Sequence, residues 1–364
     1  MYVNELQEAL PPPSGRRGLL AWLRANLFPN WWNGLVTLAL IYLLLPAIWH
    51  LIDWALISAT WSGSSRADCG QEGACWLFIE SRFGQYIYGF YPVDQRWRVN
   101  IVFAGMASLL ALLIWPRTPY KGWLALFTLL VFPCIAFVLL HGGLGLSQVE
   151  TNLWGGLMLT LVLAVVGIAV ALPFGILLAL GRRSHMPIIS SLSTVYIEFW
   201  RAVPLITVLF MASVMLPLFV AGEVEFDKLL RALIGIIMFQ SAYVAEVVRG
   251  GLQAIPKGQY EAGDALGLSY WKVMGLIIMP QALKITIPSL VNTFIALFKD
   301  TSLVLIIGLF DLLAISKVAL ADPQWLGFST EAYVFIALIF WMFCFGMSRY
   351  SIYLERKLHT GHKR

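Results

Sequence analysis

Charge is what this chain has least of. Only 12% of its 364 residues are Asp, Glu, Lys or Arg, against roughly 25% in a soluble domain. With 59% hydrophobic residues and a mean hydropathy of +0.77, one soluble core cannot hide the apolar surface, so the bilayer must be the solvent. The net charge of +5 is small for the length. It reads as loop charge facing anionic lipid, and no nucleic-acid partner is expected. Reactive signatures are missing too. There is no Gly-x-x-x-x-Gly-Lys-Ser/Thr phosphate loop, so the chain is not expected to hydrolyse ATP itself. There is no His-Glu-x-x-His, and the five histidines are scattered, with His359 and His362 in a solvated tail. No nucleophile sits in a reactive constellation, and the chain does not read as an enzyme or a metal site. Cysteine is scarce: Cys134 and Cys344 lie in apolar runs as packing residues, whereas Cys69 and Cys75 share a polar loop as a disulfide or as unbonded thiols. Residues 1–30 hold Pro11-Pro12-Pro13 and three arginines but no early apolar run, which is not the pattern of a signal peptide.

What remains is long apolar runs. A span needs about 20 of them. Candidates at 33–57, 99–115, 122–140, 154–180, 187–220, 231–249, 284–307 and 332–353 give an all-α integral membrane protein of about eight helices. The run 187–220 is too long for one perpendicular crossing. Its first half is expected along the interface, with 203–220 crossing. Lys and Arg set the orientation. With the N-terminus inside, 15 fall in inside segments and 8 outside, which favours cytoplasmic termini. Residues 1–30 and 354–364 are then cytoplasmic tails. Residues 31–140 form a three-helix extension with an outside loop at 58–98, where a Cys69–Cys75 disulfide could persist. The link 141–153 is the expected seam before a five-helix region at 150–353.

Polar groups inside these runs are costly, at least ~2.5–3.5 kcal/mol for a charge near the bilayer centre. Glu198 and Arg201, three apart on a helix, can pair on one face, as an interfacial salt bridge or as a gate. Gln240, Ser241 and Tyr243 serve either a helix–helix hydrogen bond or a translocation path. Asn292, Thr293 and then Lys299, Asp300, Thr301 and Ser302 put charges and hydroxyls together. A wet cavity is the favoured reading there, and a structural ion pair the other.

The loop at 250–283 is a long polar segment between spans, placed inside by the charge bias. Glu261 to Leu266 reads as a short helix closed by Gly267, a residue suited to positive φ. Ser269 can cap a second helix running toward Met279, before Pro280. Small Ala262 and Gly263 let another surface approach closely, and Gly263 costs roughly 1 kcal/mol of helix propensity relative to Ala.

Glu261-Ala262-Gly263, then Gly267, Ile277 and Met279-Pro280 resemble the EAA loop of binding-protein-dependent ABC importer permeases, with its spacing kept. Gly263 and Met279 depart from the usual Ala and Leu. Tyr243-Val-Ala-Glu246, Ile255-Pro-Lys-Gly-Gln259, Asn292, Lys299-Asp-Thr-Ser-Leu303 and Glu198-Phe-Trp-Arg201-Ala-Val-Pro204 are similar to polar-amino-acid permeases of the histidine and glutamine group. The added N-terminal spans resemble the M-type branch of the general L-amino-acid importers. The resemblance implies a type I ABC importer core preceded by three extra helices, in a bacterial inner membrane, moving L-amino acids from periplasm to cytoplasm by alternating access. It implies a homologous second permease, two ABC ATPases that bind ATP and Mg, and a periplasmic amino-acid-binding protein, with no cofactor on this chain. Glu261, Ala262, Gly263, Asp264 and Gly267 would couple to the ATPase. Gln240, Tyr243, Asn292 and Lys299–Ser302 would be candidates for the substrate path. A zwitterionic substrate needs both signs plus hydroxyls. An ion-coupled secondary transporter or channel is the alternative that needs no ATPase.

Overall fold

The computed structural model describes residues 18–63, 65–70, 72–115, 117–219 and 227–358. The outermost parts of both expected tails, including His359 and His362, lie outside them. The chain divides into two compact units, one ending at Leu77 and the other beginning at Phe78.

In the first unit, α1 (Leu19–Asn26) leads to α2 (Trp31–Ile52), capped where the Asn30 side chain accepts from the Asn33 amide at 3.1 Å. A π-helical turn, Asp53–Ile57, extends α2. No α2 residue is buried, as expected of an apolar helix whose solvent is lipid. A polar loop follows. Its strands of chain are tied by Thr60 N–H to Ala74 O at 2.8 Å and Trp76 N–H to Thr60 O at 3.0 Å. Cys69 and Cys75 are disulfide-bonded across it, with Cα atoms 5.5 Å apart. Trp54, Trp61 and Trp76 cluster beside the bond, with ring centroids 5.9–6.2 Å apart. Such amphipathic rings favour a membrane–water interface.

The second unit opens with α3 (Leu77–Tyr88), a helix inside what the sequence presents as a loop at 58–98. Next come α4 (Arg96–Ile114), α5 (Lys121–Leu126) and α6 (Phe132–His141), the last two joined by a π turn. Arg98, at the end of the expected loop at 58–98, is held inside the protein. It is 2% exposed, and its guanidinium donates to Ser147 O at 2.8 Å and Ser147 Oγ at 2.9 Å. Then follow α7 (Gly156–Arg182), α8 (Pro187–Ala202), α9 (Leu205–Phe210), α10 (Leu216–Phe219) and α11 (Lys228–Ala254). The short α12 (Lys257–Ala265) and α13 (Tyr270–Lys272) precede α14 (Met279–Asp300). A two-residue strand, β1 (Phe310–Asp311), comes before α15 (Leu312–Leu320) and α16 (Ser329–Leu358).

Among the described residues seven helices are long and apolar enough to cross a membrane, or eight if α8 and the helix from Leu205 to Met215 count as one span bent by 102°. The bend falls at Val203-Pro204. Pro204 has no N–H to donate and disfavours helical geometry in the residue before it. The long run at 187–220 therefore breaks where the sequence reading divides it.

The expected link at 141–153 packs into the core. Tyr91, Val99, Leu140, Val149 and Trp154 belong to the same buried cluster as Leu159, Leu163 and Ile236, and Tyr91 Oη donates to Leu140 O at 2.7 Å, so that link is packed. The second helix of the polar loop does not stop before Pro280. It continues through a π turn, Val273–Ile278, into α14; Pro280 follows that turn directly, where the regular i→i−4 ladder is already interrupted.

Within this unit the helix ends sort into two groups. At one end Gly89 bridges Trp154, Gly155 bridges Phe310 and Gly156 bridges Asp311. At the other end Arg182, Glu198, Glu246 and Arg249 meet.

Candidate functional site: the charged helix ends and the short helix beside them

The structure re-pairs the ion pair expected from sequence. Glu198 does not take Arg201 as its partner: Arg182 Nη2, at the end of α7, lies 2.9 Å from Glu198 Oε1. Arg201 instead reaches Glu246 of α11 at 3.9 Å, with its guanidinium 5.7 Å from the Tyr243 ring centroid. Glu246 also accepts from Arg182 at 3.2 Å and from Arg249 Nε at 2.9 Å, with a second, shorter Arg249 contact. One carboxylate therefore staples three helix ends. Side-chain burial is the reason: Glu246 is 25% exposed and needs compensating charge, whereas Glu198 is 55% exposed and water serves it. Arg182 is far from both glutamates in sequence, and only the packing of α7 against α8 and α11 reveals it.

Beyond α11 the chain turns at Ile255-Pro256 into α12. Tyr260 anchors the helix by donating to Leu252 O at 3.1 Å, while Arg183 donates to Tyr260 Oη at 3.0 Å. A cleft of about 420 Å³ opens beside it, lined by Arg183, Gln253, Lys257, Tyr260 and Glu261. The helix ends in a Schellman motif: Leu268 N–H donates to Gly263 O at 3.2 Å and Gly267 N–H to Asp264 O at 2.9 Å, with Gly267 at φ +67°. Ser269 occupies the N-cap of α13, but its side chain makes no cap bond.

Glu261, Ala262, Asp264 and Ala265 are exposed. Gly263 is not. It faces back into the protein, where an added Cβ would lie 2.7 Å from Val273 Cγ2. Its small size therefore serves packing within this chain, not the approach of another surface. The glycine lets α12 seat against the π turn, and the lost helix propensity is the lesser effect. From Tyr270 the helix runs unbroken to Ile307. That is roughly 57 Å at 1.5 Å per residue, nearly twice the ~30 Å hydrocarbon core. One end must project into water, and α12 rides on it with Leu266, Tyr270 and Trp271 exposed.

The expected path residues divide into two sets. Gln240 is buried and donates to Thr293 O at 2.9 Å; Thr301 is buried and donates to Phe298 O at 2.8 Å. Ser302 donates to Lys299 O at 2.8 Å. These are satisfied by the helices themselves. By contrast Ser289, Asn292, Ala296 and Lys299 are exposed at helical spacing along one side of α14, while Tyr243 and Asp300 are half-buried. A polar, small-residue stripe on a spanning helix is unsuited to lipid.

One polar residue of the opposite end escaped sequence reading. Asp311 is fully buried and accepts from the Leu313 and Ala314 amides at 3.2 and 3.0 Å, capping α15. Burial outweighs those bonds and raises its carboxyl to about 6. Asp followed by an apolar helical run was the available signal.

Residues 171–360 match the family described as binding-protein-dependent transport system inner membrane component. The chain belongs to this family. It is similar to the inner membrane amino-acid ABC transporter permease protein YhdY of Escherichia coli K12, at 60% identity over 344 residues and 94% of each chain. It is also similar to the glutamate/glutamine/aspartate/asparagine transport system permease protein BztC of Rhodobacter capsulatus, at 41% identity over 99% of this chain and 98% of that one. Among solved structures, a crystal structure of an amino acid ABC transporter with histidines is 30% identical, with a TM-score of 0.50, over 56% of this chain and 92% of that one. Both relatives that match nearly the whole length are named as permeases, so this is a multi-span inner-membrane permease subunit rather than an enzyme.

Proposed function

We propose that this permease carries L-amino acids inward across the bacterial inner membrane, driven by ATP hydrolysed on partner subunits. The observation that carries the reading is α12: a short polar helix with Glu261, Ala262 and Asp264 exposed, held on a helix too long to end inside the bilayer. In this reading the termini and α12 are cytoplasmic, and the Cys69–Cys75 loop is periplasmic. Two ABC ATPases bind ATP and Mg; one takes α12 in a surface groove, and Glu261 contacts it electrostatically. Closure of the ATPases moves α12, and the long helix carries that movement into the membrane. Nucleotide states that bind the permease conformations differently thus shift it between inward and outward openings. A homologous second permease faces the Ser289–Lys299 stripe, which gives those polar groups a partner or a shared aqueous path. A periplasmic binding protein delivers the amino acid at the opposite end. The charged cluster around Glu246 stands at the cytoplasmic mouth, where exchange of ion-pair partners lets α7, α8 and α11 separate.

Proteoliposomes holding the assembled subunits test this. ATP-dependent uptake of an amino acid, requiring both this chain and the binding protein, is expected. Uptake driven by an ion gradient without the ATPases would replace the reading with secondary transport.

A further inference from the structure

The second unit contains a cavity that the transport reading does not use. A groove of about 840 Å³ runs between α4, α6, α7 and the start of α11. Its walls are almost wholly apolar, among them Phe103, Met106, Ala136, Met158 and Val166. Along α7 it extends from Met158 to Pro173, roughly 22 Å at 1.5 Å per residue. That exceeds one leaflet of a ~30 Å hydrocarbon core.

Polarity is confined to one mouth, where His141, Thr151, Trp154 and Asp227 line the groove. Trp154 is 1% exposed, yet its Nε1–H has no hydrogen-bond partner among the described residues; nor has His141 Nδ1. The indole N–H is a donor only, and burying it without an acceptor is unfavourable. It calls for an acceptor oxygen brought by whatever fills the groove. Asp227 beside it is exposed and negatively charged; it caps α11 through the Leu230 amide at 3.0 Å and accepts from Thr151. No Lys or Arg lines the groove.

We propose that this groove binds one zwitterionic glycerophospholipid of the phosphatidylethanolamine class. An acyl chain fills the apolar length. Ester or phosphate oxygens accept from Trp154 Nε1, with His141 Nδ1 as a second contact. The ammonium group faces the Asp227 carboxylate, and that carboxylate disfavours a net-anionic headgroup. The lipid then joins α4 and α6 to the permease helices α7 and α11, a role for helices that precede the matched family region.

Native mass spectrometry tests it, on the purified transporter released from nanodiscs of equal phosphatidylethanolamine and phosphatidylglycerol. The wild type is expected to retain phosphatidylethanolamine at least threefold over phosphatidylglycerol. Trp154→Phe keeps the ring packing but deletes the donor, and should lower retention severalfold. Asp227→Asn keeps the helix cap and should abolish the headgroup preference. Val166→Phe, which narrows the groove, should lower retention of both lipids. A wild type that retains no lipid, prefers phosphatidylglycerol or holds a polypeptide there would overturn the proposal, as would unchanged retention in Trp154→Phe.

Discussion

In the proposed orientation, the outer and inner ends of the second unit are held together by a different balance of contacts. At the outer end, backbone bridges join Gly89 to Trp154, Gly155 to Phe310 and Gly156 to Asp311, a buried carboxylate caps α15, and a single ion pair, Arg82–Asp322, ties α3 to the turn after α15. At the inner end, α7, α8 and α11 meet through side chains: two glutamates shared among three arginines, all partly accessible. Backbone bridges cannot change partners without local unfolding. Ion pairs in a partly wet cluster can be exchanged at small net cost, because such pairs contribute little individually. In the proposed orientation, the end that opens to the cytoplasm is thus the one built from exchangeable contacts, and α12 stands on that same side.

The largest effect expected from breaking this contrast is at Glu246. Glu246→Gln leaves three arginines without their shared counter-charge. It should cut uptake at least tenfold and destabilise the folded protein by about 1–3 kcal/mol, read by thermal unfolding in detergent. Glu198→Gln, more exposed and with one partner, should change stability by less than about 1 kcal/mol. Equal losses from the two would erase the distinction between hub and rim.

Gly263 sharpens the account of how α12 is seated. Gly263→Ala drives a methyl into Val273, and overpacking of this kind costs roughly 1–3 kcal/mol, more than the roughly 1 kcal/mol gained in helix propensity. ATP-dependent uptake should fall severalfold. The double substitution with Val273→Ala should restore it. Failure of that rescue would mean that Gly263 acts elsewhere.

Asp311 should give the smallest effect, one confined to the outer end. Its folded-state value of about 6 lies above the ordinary carboxylate value. The folded state therefore binds the extra proton, and stability is lost as pH rises through about 6. Between pH 5 and 7 this group contributes a fall of about 1 kcal/mol. Asp311→Asn retains an N-cap residue and should flatten that slope, read as the difference in unfolding temperature from wild type across the same buffers.

Much of this was legible in the sequence because it rests on local chemistry. Apolar run lengths marked the spans and the division of the 187–220 run, and Gly267 marked the end of α12. What escaped depended on contacts between distant segments. Glu198 had a plausible helical neighbour in Arg201, but α7 brings Arg182 closer. Gly263 looked like a weakness in a helix until Val273 was seen against it. Nothing near Arg98 in the sequence announces Ser147 as its partner. Lys299 to Ser302 read as one polar cluster, yet Thr301 and Ser302 bond to carbonyls of their own helix while Lys299 faces outward. Composition could not separate those fates, since burial is set by which side of α14 meets its neighbours.

The central claim is that energy enters through the exposed face of α12. It is tested most directly by co-purifying Glu261→Lys with the ATPase subunits and measuring ATPase stimulation and uptake together. The account predicts normal membrane insertion, unchanged unfolding temperature, loss of the ATPase from the purified complex and at least a tenfold loss of uptake. Full ATPase retention with wild-type uptake would contradict it.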